Sequence, residues 1–416
     1  MARIAVDLTG VRRSRDLRLL TIGQAASSLG TQAALVAIPY QVYTETHSAL
    51  LVGLTGAAEL VPLALGSLLG GAWADRVDRR RLMLVAQAVE LLVAALLAVL
   101  TILGLAHVVA IFLLAGALAG SGAVVNVTRS AAVPALAGEW LRSALALNFS
   151  VSSLASVVGP GLGGLVIAAS SVQAVYVIDA VAFAAMFALT VPIRALPPVV
   201  VEEHEPIGRS ILEGLRFVRG NRALLGSFAI DLAAMAFGMP RALFAVLSLT
   251  VFHAGASGTG LLYAAVSAGA VVAALTTGWL EHARWLGRIT IVAVAAWGVS
   301  IAAAGLAPSI WVCALLLAIA GAADSVSAVC RTVINQTVTP EHMRGRMSSV
   351  FMLVVTSGPR LGDIESGVAA SVLSVTAAVT TGGLLCLLFA GFSVLAFPEL
   401  ARYDGHAEEA RLAATG

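Results

Sequence analysis

Residues 65–104 read LGSLLGGAWADRVDRRRLMLVAQAVELLVAALLAVLTILG: an apolar run, a knot formed by Asp75, Arg76, Asp78, Arg79, Arg80 and Arg81, and a second apolar run. Extended to their polar limits, the two runs cover 49–74 and 82–104. Each reaches the roughly 20 residues that a helix needs to cross about 30 Å of hydrocarbon at about 1.5 Å per residue. Guanidinium groups stay out of hydrocarbon, so the stretch predicts two antiparallel crossings joined by a loop at one membrane face.

The alternation continues along all 416 residues. Apolar stretches lie near 18–43, 49–74, 82–104, 107–130, 142–169, 172–194, 223–252, 258–281, 287–307, 309–331, 346–371 and 375–398. They predict an all-α membrane protein with twelve transmembrane helices. All 25 basic residues are arginines. Of these, 23 sit in the tails or the even-numbered connections: Arg3 to Arg18, Arg76 to Arg81, Arg129 with Arg142, Arg194 to Arg222, Arg284 with Arg288, Arg331 to Arg346, and Arg402 with Arg411. Odd connections such as 44–48, 105–108 and 254–257 carry none. The positive-inside rule therefore predicts a multi-pass protein of the cytoplasmic membrane with both termini in the cytoplasm.

Composition agrees, with 59% hydrophobic residues, 12% charged residues and a mean hydropathy of +0.95. Topology accounts for the basic residues, which leaves no basis for nucleic-acid binding. The partners expected are the lipid bilayer, a small-molecule substrate and protons. Cys313, Cys330 and Cys386 fall within apolar stretches, are odd in number and lack metal-type spacing, so they read as small buried hydrophobes. The arginine-rich start lacks the short apolar core and cleavage site of a signal peptide, which predicts that the first span is retained. The seven histidines, at 47, 107, 204, 253, 282, 342 and 406, lie mostly at span ends or in loops. No catalytic constellation, metal site or cofactor site emerges, and an enzyme is not expected.

The chain is also built twice. Residues 196–222 form the long polar interval, with Pro197 and Pro198 near its start and the acidic run Glu202, Glu203, His204, Glu205 behind them. This divides the chain into an N-terminal six-helix bundle (1–195), a cytoplasmic linker (196–222) and a C-terminal six-helix bundle with a short tail (223–416). In the linker, Ile207, Ile211, Leu215 and Val218 recur at helical spacing opposite Arg209, Glu213, Arg216 and Arg219. The pattern fits an amphipathic helix on the membrane surface, and an ordinary solvated linker is the competing reading. Arg129 and Arg142 are 13 apart after the fourth span, as are Arg331 and Arg344 after the tenth, an offset of 202. Gly159-Pro160-Gly161-Leu162-Gly163-Gly164 in the fifth span is matched by Gly358-Pro359-Arg360-Leu361-Gly362-Asp363 in the eleventh. Two matched halves of one orientation are the signature of a transporter with its substrate site between them.

These residues carry a family resemblance. Gly71-Ala-Trp-Ala-Asp75-Arg76-Val-Asp78-Arg79-Arg80-Arg81 resembles the cytoplasmic loop signature of the major facilitator superfamily, with Asp78 where that signature has glycine. The Gly-Pro-x-x-Gly-Gly of Gly159, Pro160, Gly163 and Gly164 is similar to the superfamily's antiporter motif, typical of exporters. The Tyr-Gln-Val-Tyr-Thr-Glu-Thr-His-Ser ending of the first span, Thr-Pro-Glu-His-Met-Arg-Gly-Arg at 339–346, and Gly-Pro-Arg-Leu-Gly-Asp look closest to the enterobactin exporter branch. Related multidrug efflux pumps share the Ile-Asp-Leu around Asp231 and the Arg-Gly-Arg loop.

The resemblance implies a gating role for Asp75, Arg76 and Arg79, joined in the loop by Gly71, Arg80 and Arg129. In physical terms Gly71 allows close helix contact, and Asp75 can accept hydrogen bonds from an arginine such as Arg129 or from the N-terminus of the eleventh span. In the fifth span, Gly159, Gly163 and Gly164 make a thin face and Pro160 bends it. Charges inside the spans each cost about 2.5–3.5 kcal/mol on insertion scales, so they are expected to face a cavity or a partner. They are Glu59, Glu90, Asp179, Asp231, Arg241, Asp324, Arg360, Asp363 and Glu365. Arg360 and Asp363 can pair on one helix face, whereas Arg241 needs a countercharge from another span or from an anionic substrate. Asp231 and Glu59 are the first choices for a proton-exchanging carboxyl, with a static packing role as the alternative.

The function expected is secondary active export of a small organic molecule by alternating access, with proton antiport as the drive. A siderophore of the enterobactin kind is preferred, and multidrug efflux is the alternative within the same superfamily. A passive channel would leave the matched halves without a purpose. The resemblance implies a monomer.

Overall fold

A computed structural model describes residues 12–198, 207–340 and 343–405. Arg3, the acidic run Glu202, Glu203, His204 and Glu205, the pair Glu341 and His342, and the tail residues His406 and Arg411 lie outside the described residues, as do the side chains of Ile207, Arg209, Ile211 and Arg344.

The elements are α1 (Arg15–Thr46), α2 (Ala49–Ala74), α3 (Arg79–Ile102), α4 (Val108–Ala137), α5 (Leu141–Ala169), α6 (Val172–Thr190), α7 (Ile207–Gly220), α8 (Arg222–Gly238), α9 (Leu243–Val246), α10 (Gly255–Thr276), α11 (Leu286–Gly305), α12 (Ile310–Val338), α13 (Arg344–Val372), α14 (Val375–Ala396) and α15 (Pro398–Ala401). The apolar stretches expected from the sequence fall on helix, the seventh interrupted at 239–242. Among the described residues, nine helical stretches are long and apolar enough to cross a membrane. One of them, Val108–Ala169, is 62 residues long and holds both α4 and α5 around a 3-10 turn at Gly138–Trp140. α1 and α13 are not among the nine. Their composition explains why: α1 carries Gln24, Gln32 and Gln41, and α13 carries Arg346, Arg360, Asp363 and Glu365. Large apolar side chains on the outer faces, such as Leu113 (70% exposed), Leu275 (82%) and Leu395 (81%), stand where hydrocarbon would cover them.

The chain forms two compact units. Unit one comprises residues 1–47, 57–203 and 254–264, and unit two comprises 48–56, 204–253 and 265–416. Packing within them repeats. In unit one α1 lies against α5 and α6, and α3 against α4 and α6. In unit two α8 lies against α13 and α14, and α11 against α12 and α14. Glycines set the closest approaches: a Cβ on Gly70 of α2 would stand 2.9 Å from the Cα of Val124, and the backbone of Gly66 packs on that of Gly120. In unit two, Gly321 of α12 faces the Val266 carbonyl in the same way.

The linker does form a helix, α7, which packs on α13. Its inner face is Gly214 with Val218, and Glu213 pairs with Arg346 at 2.8 Å. Of the apolar face expected, Val218 is buried in this contact, while Leu215 at 41% and the neighbouring Leu212 at 61% are exposed. Close approach to α13 selects the glycine rather than the larger residue.

Candidate functional site: buried charges and the loop after α2

α8 starts at Asn221, whose side chain accepts from the amides of Ala223 and Leu224, both at 3.1 Å. It stops at Gly238, ahead of Pro240. The break leaves the Gly238 carbonyl open, and the indole of Trp297 from α11 donates to it at 2.9 Å. The chain resumes through Arg241 into α9, where the Ala242 amide donates to Asp363 Oδ1 of α13 at 3.0 Å. Residues Leu247–Val251 then form a π turn, in which the Phe252 amide donates back to Leu247 O at 3.0 Å.

Around this broken helix six charges converge. Arg331 Nη1 lies 2.5 Å from Asp231 Oδ1, and its Nη2 lies 3.7 Å from Asp324 Oδ1. The arginine and Asp231 side chains are 4% and 2% exposed. They form an ion pair by proximity, and the contact lacks the alignment of a good hydrogen bond. Arg241 acts electrostatically on both Asp324 and Asp363, and Arg360 acts on Asp363 as well. Three carboxylates and three guanidiniums thus share one region of unit two and balance. A cavity of about 20 Å³, bordered by Arg241, Asp324, Phe244, Trp297 and Val266, opens beside them. It has room for a water or two and for nothing larger.

Two expectations change here. Arg331, grouped with the loop arginines in the sequence, is buried inside α12, because that helix runs on to Val338. The countercharge sought for Arg241 is supplied by the protein itself. Glu59 sits half-buried on α2 and Glu365 half-buried on α13. The ion pairs of Arg331 carry neither of them.

The loop after α2 is held by backbone carbonyls. Asp78 caps α3, accepting from the Arg81 amide at 3.0 Å, and its other oxygen accepts from the Leu196 amide at 2.9 Å. The aspartate that departs from the signature therefore replaces a glycine's freedom with two fixed bonds. Arg79 donates to Ala74 O and Ala131 O, both at 3.3 Å, and Arg80 donates to Val191 O. Ala74 ends α2 and Val191 follows α6, so cations meet the negative ends of helices. Asp75 and Arg76 are exposed in the turn, and Arg129 donates to Asn126 Oδ1 at 2.9 Å. Gly71 is not the close contact expected: a Cβ there would meet only Val127 Cγ1 at 3.9 Å, and Gly70 takes that role.

The fifth-span glycines are tightly placed. A Cβ on Gly159 would stand 2.5 Å from Gln32 Cβ, one on Gly163 would stand 2.7 Å from Ala33 O, and one on Gly164 would stand 2.5 Å from Ala256 O. Pro160 lies between them in α5, and its carbonyl faces Gly260. Nearby, Gln24 of α1 donates to Asn148 Oδ1 and, at 3.2 Å, to Ser152 Oγ of α5. No sequence pattern had marked that polar cluster.

The sequence profile of the transmembrane secretion effectors matches residues 12–413. The chain belongs to this family of major facilitator transporters. Within the family it is 31% identical over 375 residues to the enterobactin exporter EntS of Salmonella typhi, covering 88% of this chain and 89% of that one. The EntS of Citrobacter koseri is likewise 31% identical over 376 residues, with 88% of each chain covered. Among solved structures, the nucleoside transporter NupG superposes with a TM-score of 0.72 at 14% identity, covering 93% of this chain and 99% of that one, a likeness of fold. The protein is thus a multi-pass inner-membrane exporter of the major facilitator fold and not an enzyme.

Proposed function

We propose that the protein exports a siderophore of the enterobactin kind by alternating access, in exchange for protons. It crosses the membrane twelve times as two six-helix bundles, with both termini cytoplasmic. The EntS relatives support the substrate class, and the arginine pattern supports the topology. The observation that carries the mechanism is the balanced network on α8, α12 and α13. When Asp231 or Asp324 takes up a proton, Arg331 loses a countercharge and the tie between α8 and α12 slackens. When the proton leaves, the tie re-forms. The proton load thus selects between two packings of these helices, and the water-sized cavity at Arg241 and Asp324 gives the proton a place to arrive. In the other half, Asp75, Arg76, Arg79, Arg80 and Arg129 gate the cytoplasmic side, and the Gly159–Gly164 face of α5 provides the close packing.

The test is transport in proteoliposomes carrying an imposed proton gradient, with enterobactin as the probe. Asp231→Asn and Asp324→Asn are expected to insert normally and to reduce gradient-driven export to background. Wild-type export by both variants would remove the network from coupling.

A further inference from the structure

Unit one buries a second set of acids that the network above does not use. Glu90 on α3 is 6% exposed and Asp179 on α6 is 2% exposed. α3 packs against α6 and against α4, which carries Arg129, and Glu90 lies within electrostatic reach of both Asp179 and Arg129. Among the described residues neither acid enters an ion pair. Arg331, the counterpart of Arg129 in the second half, does pair directly. Gln87, one turn before Glu90 on the same face of α3, is fully buried, and neither end of its amide has a partner. One oxygen of Asp179 is equally unpartnered. Each such group costs about 1–3 kcal/mol if it stays so, which points to a small ligand at the site.

Charge balance identifies that ligand. Two carboxylates against one guanidinium leave a net negative charge in an apolar interior, where it is costly. A metal ion would need more oxygen ligands, and among the described residues no group of three His, Cys, Asp or Glu side chains converges. A proton needs only a carboxylate. We propose that Glu90 and Asp179 form a proton-binding site in unit one, sharing a single exchangeable proton against Arg129. A hydrogen-bonded chain runs from beside it to the surface. Tyr176, one turn before Asp179, donates to Gln41 Oε1 at 2.8 Å, and Gln41 donates to Glu45 Oε1 at 2.6 Å. Glu45 is exposed at the end of α1 that the arginine pattern places outside. The proton comes from external water, binds as an O–H on one carboxylate and returns to water. The charged and titratable groups facing the site are Glu90, Arg129, Asp179, Tyr176 and Glu45, on α3, α4, α6 and α1. α5 adds no charge beyond Arg142 at its start.

The site rests on the proton-driven reading for the use of its proton, but not for binding it, and the experiment separates the two. Infrared spectra of the purified protein in lipid, recorded across a pH titration, are expected to contain a protonated-carboxyl component that both Glu90→Gln and Asp179→Asn lose entirely, since either change balances Arg129. A component unchanged in either variant overturns the proposal, as does one that answers to sodium at fixed pH instead of to protons. If a neutral variant fails to fold, Glu90→Asp decides: a titrating band at a displaced frequency supports the site, and an undisplaced band overturns it. Wild-type protein that keeps the band but shows no gradient-driven export sinks the coupling mechanism and leaves the site standing. Gradient-driven export together with a band indifferent to Glu90→Gln sinks the site alone.

Discussion

Arg331 answers two acids at once, so its removal strands Asp231 at 2% exposure without a countercharge. Breaking a buried pair from one side costs about 3–5 kcal/mol. Arg331→Leu is therefore expected to lower stability by about that amount, and adding Asp231→Asn should restore a large part of it. A double-mutant cycle on detergent-melting data measures this, and additive losses would mean that the two residues do not interact. Arg331 also shows where sequence reasoning stops. Its 13-residue spacing to Arg344 looks like a loop, and only the continuation of α12 to Val338 shows it to be interior. Asp231, its partner, stands 100 positions earlier, and no periodicity links the two. The same holds for Arg241, whose countercharges lie on α12 and α13. The sequence identified it as needing a partner but could not name one, since pairing across helices is a tertiary fact.

Helix ends and helix faces were legible to different degrees. Six helix starts rest on local chemistry, since Ser14, Asp78, Ser171, Asn221, Ser309 and Ser374 each cap the helix that follows with a side chain, whereas the end of α12 carried no such signal. Asp78→Ala removes one such cap and the bond to the Leu196 amide. A loss of about 1–2 kcal/mol is expected, read as an earlier unfolding midpoint of unit one. Faces were harder. Gly71 attracted notice because it stands in a signature, yet Gly70 makes the close approach, a difference of about 100° around the helix. Gly163→Val is expected to push α5 off Ala33 and to reduce both expression and export, while Gly71→Ala, with open space around it, is expected to leave both near wild type. Equal damage from the two would mean that this packing does not control function.

At the scale of the molecule, the arginine pattern predicts sidedness, and the native cysteines leave that prediction easy to test. Cys313, Cys330 and Cys386 are at most 1% exposed, so an added cysteine reports alone. His47→Cys is expected to react with an impermeant maleimide on intact spheroplasts, and Arg142→Cys only after the membrane is opened. The reverse order would invert the topology. The helical plan was readable from apolar length and charge because the bilayer imposes both. The exchange of short segments was not: 48–56 belongs to unit two, where Gly53 meets Gly367, and 254–264 belongs to unit one, where Gly260 meets Gly164. No composition signal marks either segment. They have a practical consequence for anyone dividing the gene at the linker. Each half, made as a separate polypeptide, would lack a strip that its own glycines are shaped to receive and would carry a strip belonging to the other. Co-expressed halves should therefore purify as a pair, and a half made alone should be recovered poorly.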